Sequence, residues 1–370
     1  MHDKHASIKI IGRKQRSMSQ SNFSVASHSK LKLADDRVSV ASSQVQPVLE
    51  QILKTCGCRP DIAEEVAAHL IDTDLCGIES HGVMRVLQYA KQFESGYLDA
   101  KADAKILHTD KGDPYVCGGG GIGIPAMRLA VDHCVLLAKE KGIAALPIRN
   151  VGHTGRLGSF AERAAMRSAL VIIIGGGGRQ NWRQVAPYGG RKALLPTNPY
   201  CLGIPGGAQG PVVVDFATSV IAGGWVYAAH AAGAQLPQGA LITKDGKPST
   251  DPSDYFDGGA ILPKGGVMGY GLALMAELIC EAMLGPVTTE VNWLVLALDT
   301  ERYREAPTLQ SVAEEILAEI RSCPPADGFT SVEVPGERER KHRASNPESM
   351  LAIPHQTWKA IRERAGLGDA

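Results

Sequence analysis

The 370-residue chain carries no surplus of charge: 39 Lys and Arg stand against 39 Asp and Glu. It therefore lacks the basic footprint that draws a protein to nucleic acid or to an anionic membrane. It has no apolar run suited to crossing a bilayer, because Leu170 to Ile174 is short and Tyr270 to Leu284 is broken by Glu277 and Glu281. No C-x-x-C pair occurs among its eight cysteines, which are scattered as in a reduced, cytoplasmic protein. Cys56-Gly-Cys58 finds no second zinc half-site, so no metal is expected. Repeats with solenoid or propeller periods are absent, and so are H-E-x-x-H and G-x-x-x-x-G-K-[ST], which removes the zincin and P-loop chemistries.

What is present is a glycine-rich, 44% apolar chain with the composition of a globular enzyme. Residues 1 to about 36 are basic and Ser-rich with no apolar period, and are expected to form a disordered extension; a transit peptide is the alternative. From Pro60 a helix is predicted, with Asp61 and Glu64 at capping-box spacing and Ile62, Val66, Leu70 and Ile71 as its buried stripe. A second helix is predicted from an N-cap at Ser80, burying Val83, Val86, Leu87 and Phe93. A strand at Tyr115–Cys117, a helix at Ala126–Lys141, a strand at Ile143–Arg149, a helix at Leu157–Ser168 and a strand at Leu170–Ile174 follow in βαβαβ-like order. Farther on come a strand at Val212–Phe216, a buried helix at Gly271–Leu284, a strand at Trp293–Asp299 and an amphipathic helix at Leu309–Arg321. The alternation indicates a mixed α/β enzyme.

Gly121-Ile-Gly-Ile-Pro-Ala126 matches the spacing of a dinucleotide fingerprint, but the following strand ends in Arg149-Asn150 with no acid for a ribose, so a simple turn is expected. The tract Gly175 to Gly178 leads into Arg179-Gln-Asn-Trp182, which has no helical stripe to offer a phosphate. More informative is Ser80-His-Gly-Val-Met-Arg85. With Ser80 as cap, His81 falls in the first helical turn and Arg85 on the same face. That pairs a proton donor with a guanidinium able to grip a carboxylate, as a 2-oxo or 2-hydroxy acid requires. A capping serine with a surface His and Arg is the plainer reading. His153 lies in a glycine-flanked loop after a strand, and Asp215 stands near a strand end, where each serves either a site or its own loop.

Gly77-Ile-Glu-Ser-His-Gly-Val-Met-Arg85, Arg149-Asn-Val-Gly-His-Thr-Gly155, Ala186-Pro-Tyr-Gly-Gly190, Pro196-Thr-Asn-Pro199, Val214-Asp-Phe-Ala-Thr-Ser219, Leu236-Pro-Gln-Gly239 and Gly269-Tyr-Gly-Leu-Ala-Leu-Met275 occur in one order. Together they resemble the malate/L-lactate dehydrogenase type 2 family over about residues 43 to 366. The resemblance implies a mixed α/β, non-Rossmann nicotinamide-binding fold, NAD or NADP as cofactor, a small 2-oxo or 2-hydroxy acid as substrate, and a homodimer. It implies His81 as proton donor, Ser80 as its partner, Arg85 as carboxylate anchor and His153 as second active-site histidine, with the principal acid/base left open between His81 and His153. Asp215, Phe216, Ala217, Thr218, Ser219, Met268, Gly336, Glu337 and Arg338 match cofactor-contacting stretches. The chain then divides into an extension (1–42), a helical part with the Ser-His-Gly motif (43–142), a cofactor-binding part (143–271) and a C-terminal part packing back on the first (272–370). Four departures stand out. Met268 and Trp225 occupy positions where the family commonly has Lys, Cys117-Gly118 replaces Asp-Gly, and the segment Gly285 to Asn292 is short. The two missing cations suggest, as an alternative, a relative that binds metabolites without turnover.

Overall fold

The computed structural model describes residues 36–368, so the predicted extension lies outside the described residues except for its last few, of which Arg37–Ala41 form strand β1. Helices α1 (Ser42–Thr55), α2 (Pro60–Leu75) and α3 (Arg85–Glu94) follow, with a 3-10 turn at Glu79–His81 before the third. Hairpin β2 (Lys105–His108) and β3 (Pro114–Cys117) leads through α4 (Gly123–Lys141), β4 (Ile143–Val151) and α5 (Leu157–Ala165) to β5 (Ala169–Gly176), β6 (Pro199–Ile204) and β7 (Val212–Ala217). A smaller unit contains α6 (Gly223–Ala232), β8 (Leu241–Ile242), β9 (Pro248–Ser249), the single turn α7 (Ser253–Phe256) and β10 (Ala260–Ile261). The chain continues through α8 (Val267–Glu277), β11 (Val291–Asp299), α9 (Ala306–Arg321), α10 (Glu337–Ala344), β12 (Met350–Pro354) and α11 (His355–Arg364).

The main sheet runs β2-β3-β4-β11-β5-β6-β7. Its only parallel pair is β3 with β4, bridged by α4; β11 enters between β4 and β5 and runs antiparallel to both. The βαβαβ-like order is thus realised as β3-α4-β4-α5-β5, with β5 running parallel to β4 but held one strand away from it by β11. Flanked on both edges and packed by α4, β11 reads as a nearly unbroken apolar run, as a strand covered on both faces must. Alternation along β5 sorts the sheet's two sides. Val171 and Ile173 join the large core of α1 to α5, whereas Ile172 and Ile174 meet Tyr200, Ala276 and Cys280 beneath α8. The smaller unit has its own core of Val185, Leu195, Val226, Leu241 and Ile261. β1 pairs with β12, bringing the C-terminal part beside α2.

Three local expectations are corrected. Asp61 does not close a capping box, because its carboxylate binds the Arg59 guanidinium at 2.8 Å, and Pro60 opens the helix instead. Ser80 does not cap α3. Asp74 Oδ2 accepts from Val83 N at 2.7 Å and holds the turn, so α3 begins only at Arg85. The apolar stretch near 271–284 is not one buried helix either: α8 starts at Val267, passes into a π turn at Leu278–Met283, and leaves Met268, Leu274, Met275, Leu278 and Met283 on the surface.

Candidate active site

The site is built where α3, the 3-10 turn and the loop after β4 meet. Because α3 starts late, His81 and Arg85 sit on two elements rather than on one helical face, and a side-chain-to-backbone bond joins those elements. Arg85 Nε donates to Ser80 O at 2.7 Å, and its Nη1 reaches Gln88 Oε1. Ser80 Oγ lies 3.0 Å from His81 Nδ1. Across from it stands His153, its ring stacked on His81 with centroids 5.3 Å apart. The structure thus brings Ser80, His81, Arg85 and His153 together.

Two hydrogen bonds fix His153. Gly155 N donates to its Nδ1 at 3.2 Å, and Tyr89 Oη lies 2.7 Å from the same nitrogen. A backbone N–H only donates, so Nδ1 is an acceptor and the ring proton resides on Nε2. Tyr89, fully buried on α3, reads in sequence as another core aromatic. The loop is held from behind by His69, whose Nε2 accepts from Arg156 N at 3.0 Å and whose ring stacks on Phe160. Gly155 has φ +72°, and a Cβ there would overlap the His69 ring, so only glycine suits this corner. Arg156 is 3% exposed and pairs with Asp72 and Glu162, anchoring the loop to α2 and α5.

Electrostatically the histidines are kept neutral. Burial is the main cause that pushes His81 down to about 3, followed by the Arg85 charge and His69. Burial, then Arg85, His81 and His69, holds His153 well below the ordinary imidazole range. Arg85 also faces the smaller unit: a Cβ built on Gly224, in the first turn of α6, would lie 3.5 Å from its Nη2. A carboxylate between that guanidinium and the helix N-terminus meets positive potential from both sides.

The glycine tracts serve other ends. Gly123 N donates to His153 O, and a Cβ on Gly123 would strike Gly152 O, so the Gly118–Gly123 turn buttresses the His153 loop. The Gly175–Gly178 tract is occupied by the protein itself. Buried Glu277 of α8 accepts from Gly177 N at 2.8 Å, Arg179 N at 3.1 Å and Asn198 Nδ2 at 2.6 Å.

The residues matched to cofactor contacts fall in two groups along β7. At its end, the hydroxyls of Thr218 and Ser219 donate to Thr197 O and Ile221 O, and Lys264 N donates to Thr218 O. Phe216 stacks on Tyr200, and Ala217 pairs with Pro199. Asp215, within β7, accepts from Gly158 N at 2.8 Å. Near the start of β7, Pro335 O accepts from Val213 N, Gly336 opens α10, Glu337 is engaged by Arg321 at 2.6 Å, and Arg338 lies exposed beside Glu339. Met268 is 70% exposed in the first turn of α8. An exposed cation stands just ahead of that turn all the same: Lys264, three residues before α8, accepts through its O from Gly269 N, and its side chain faces solvent. A lysine beside a helix N-terminus fits the phosphates of a dinucleotide. Among the described residues no His, Cys, Asp and Glu group is arranged for a metal, and no helix is long and apolar enough to cross a membrane.

Residues 40–362 match the malate/L-lactate dehydrogenase family. A Δ1-pyrroline-2-carboxylate/Δ1-piperideine-2-carboxylate reductase of Pseudomonas putida is 30% identical over 89% of this chain and 97% of its own. An L-sulfolactate dehydrogenase of Methanocaldococcus jannaschii is 31% identical over 84% and 92%. Among solved structures, a dehydrogenase from Sinorhizobium meliloti superposes with a TM-score of 0.79 at 26% identity, over 89% of this chain and 98% of that one.

Proposed function

The chain belongs to the malate/L-lactate dehydrogenase family, and from that premise we propose a nicotinamide-dependent oxidoreductase that interconverts a small 2-oxo acid and its 2-hydroxy acid. The observation that carries this reading is the meeting of Arg85 with the stacked rings of His81 and His153. NAD or NADP, when bound, supplies or accepts the hydride.

Arg85 and the first turn of α6 bind the substrate carboxylate. His153, whose Nδ1 is already an acceptor, offers Nε2–H to the substrate oxygen and polarises it. His81 is the proton carrier, because Ser80 Oγ can donate to its neutral Nδ1 and accept from the protonated one. In the free protein Arg85 helps to keep His81 neutral; a carboxylate on Arg85 offsets that charge and readies His81 to hold the proton it delivers to the developing alkoxide. In the reverse direction neutral His81 takes the hydroxyl proton.

We read the cofactor fold as non-Rossmann, supported by a sheet with a single parallel pair and by a glycine tract filled by Glu277. The exposed apolar side of α8 supports a homodimer, and eight free cysteines support the cytoplasm. Lys264 weighs against the alternative of a relative without turnover. The test is loss of NADH or NADPH absorbance with pyruvate, oxaloacetate, sulfopyruvate, phenylpyruvate and 2-oxoglutarate, with longer 2-oxo acids added. Turnover of any of them is expected; silence throughout, with no cofactor binding by fluorescence, overturns the reading.

A further inference from the structure

The reaction as derived leaves one buried carboxylate at the site unused. Glu290 precedes the central strand β11, where the register against β4 slips between Val291 and Trp293; such slips re-aim side chains near active sites. Glu290 N donates to Val151 O at 3.2 Å, two residues before His153. Its Oε1 accepts from Gln92 Nε2 at 2.9 Å. Arg85, Tyr89 and Gln92 recur at helical spacing on α3, so they share one face. That face runs from the carboxylate anchor, past the Tyr89–His153 pair, to Glu290. Thr288 and Thr289 donate to Asn150 Oδ1 at 3.0 and 2.7 Å and pin the short segment in place. Glu290 is 7% exposed; burial pushes its carboxyl up, while Gln92 and Arg85 draw it down.

We infer that Glu290 forms the far wall of the substrate pocket and selects 2-oxo acids whose side chain ends in a cationic N–H group, against dicarboxylates. The inference rests on the 2-oxo acid reductase reading. Counting charges gives its direction. With the substrate carboxylate on Arg85, the anchor is neutralised and Glu290 is left uncompensated. A distal guanidinium or ammonium balances it, whereas a distal carboxylate sets two like charges together in a poorly hydrated place.

The test compares 5-guanidino-2-oxopentanoate, 2-oxohexanoate and 2-oxoadipate as substrates of the wild type and Glu290→Gln. The expected wild-type order of kcat/KM is cationic, neutral, dianionic, with at least tenfold between the extremes, and Glu290→Gln is expected to compress that span to about threefold. Glu290→Lys should invert the order. A wild type that prefers 2-oxoadipate, or a Glu290→Gln variant that keeps the wild-type span, overturns the inference. Calorimetric affinities of the unreactive 5-guanidinopentanoate and adipate test the selector apart from turnover. A preference of tenfold or more for the guanidino acid, lost in Glu290→Gln, supports it even if no oxo acid is reduced, in which case the reductase reading alone fails. Equal affinities for the two acids overturn the selector.

Discussion

The proposed reaction gives Arg85 two separable roles, and two substitutions divide them. Arg85→Lys keeps the positive charge but loses the fork that spans Ser80 O, Gln88 and a bound carboxylate. Arg85→Gln loses charge and fork together. A hydrogen bond to a charged group is worth about 1.5–3 kcal/mol, roughly 10- to 150-fold in affinity. The lysine variant is therefore expected to raise KM for the 2-oxo acid about tenfold, and the glutamine variant about a hundredfold. The two differ in a second observable. Arg85 is among the causes that hold His81 at about 3, after burial. Removing the charge moves His81 upward, though not back to the ordinary range because burial remains the larger cause; the lysine variant leaves it nearly unmoved. Steady-state kinetics at fixed cofactor between pH 5 and 8, with NMR titration of the histidine rings in the free protein, measure both effects. A glutamine variant with KM within threefold of wild type, or a His81 titration that moves down, would refute the shared role of Arg85 as anchor and electrostatic neighbour.

Acidification should destabilise the fold through its neutral histidines, with Asp215, whose carboxyl desolvation raises to about 6, offsetting part of the loss. His69 and His81 are both held near 3, so below the ordinary value of 6.5 the unfolded chain binds protons that the folded one does not. Stability is full above that value and falls as pH drops, by at most about 1.4 kcal/mol per pH unit for each histidine. Urea unfolding at pH 7.5 and 5.5 checks this, and equal stabilities contradict it. Gly155→Ala, forced into a left-handed conformation and against the His69 ring, should cost about 2–4 kcal/mol and most of the turnover; a variant with near-native kcat would argue against the loop lock. Lys264→Gln should raise KM for the nicotinamide cofactor about tenfold, a loss of about 1.4 kcal/mol, with KM for the oxo acid unchanged. Unaltered cofactor KM removes Lys264 from that role.

Local patterns made much of the scaffold legible. Leu170 to Ile174 and Trp293 to Asp299 read as strands because buried central strands are short apolar runs, and α4 reads as a helix because its stripe is long. The Ser80, His81, Arg85 and His153 constellation was visible as motifs. Its actual geometry was not, because Asp74, nine residues before Val83, decides where α3 begins. Tyr89, His69 and Glu290 escaped for a related reason. Each acquires meaning from a partner distant in the chain: Tyr89 from His153, His69 from Arg156, Glu290 from Gln92. One signal was available, the spacing of Arg85, Gln88 and Gln92 along one side of α3. The exposed methionines of α8 show the reverse limit, since a helix apolar on nearly every side does not say which of its sides the same chain covers.

The late arrival of β11 has a consequence for how the protein is made. During synthesis β4 and β5 leave the ribosome more than a hundred residues before the strand that joins them. Until residues 291–299 emerge, the two apolar strands present unpaired edges to each other and to other nascent chains. The sheet therefore closes near the end of translation, followed by the pairing of β1 with β12, which spans nearly the whole described chain. Non-local pairings of this kind fold slowly. A chain stopped before residue 291 lacks β11 and the last three helices, so the two halves of its sheet stay unjoined and aggregation or degradation is its expected fate.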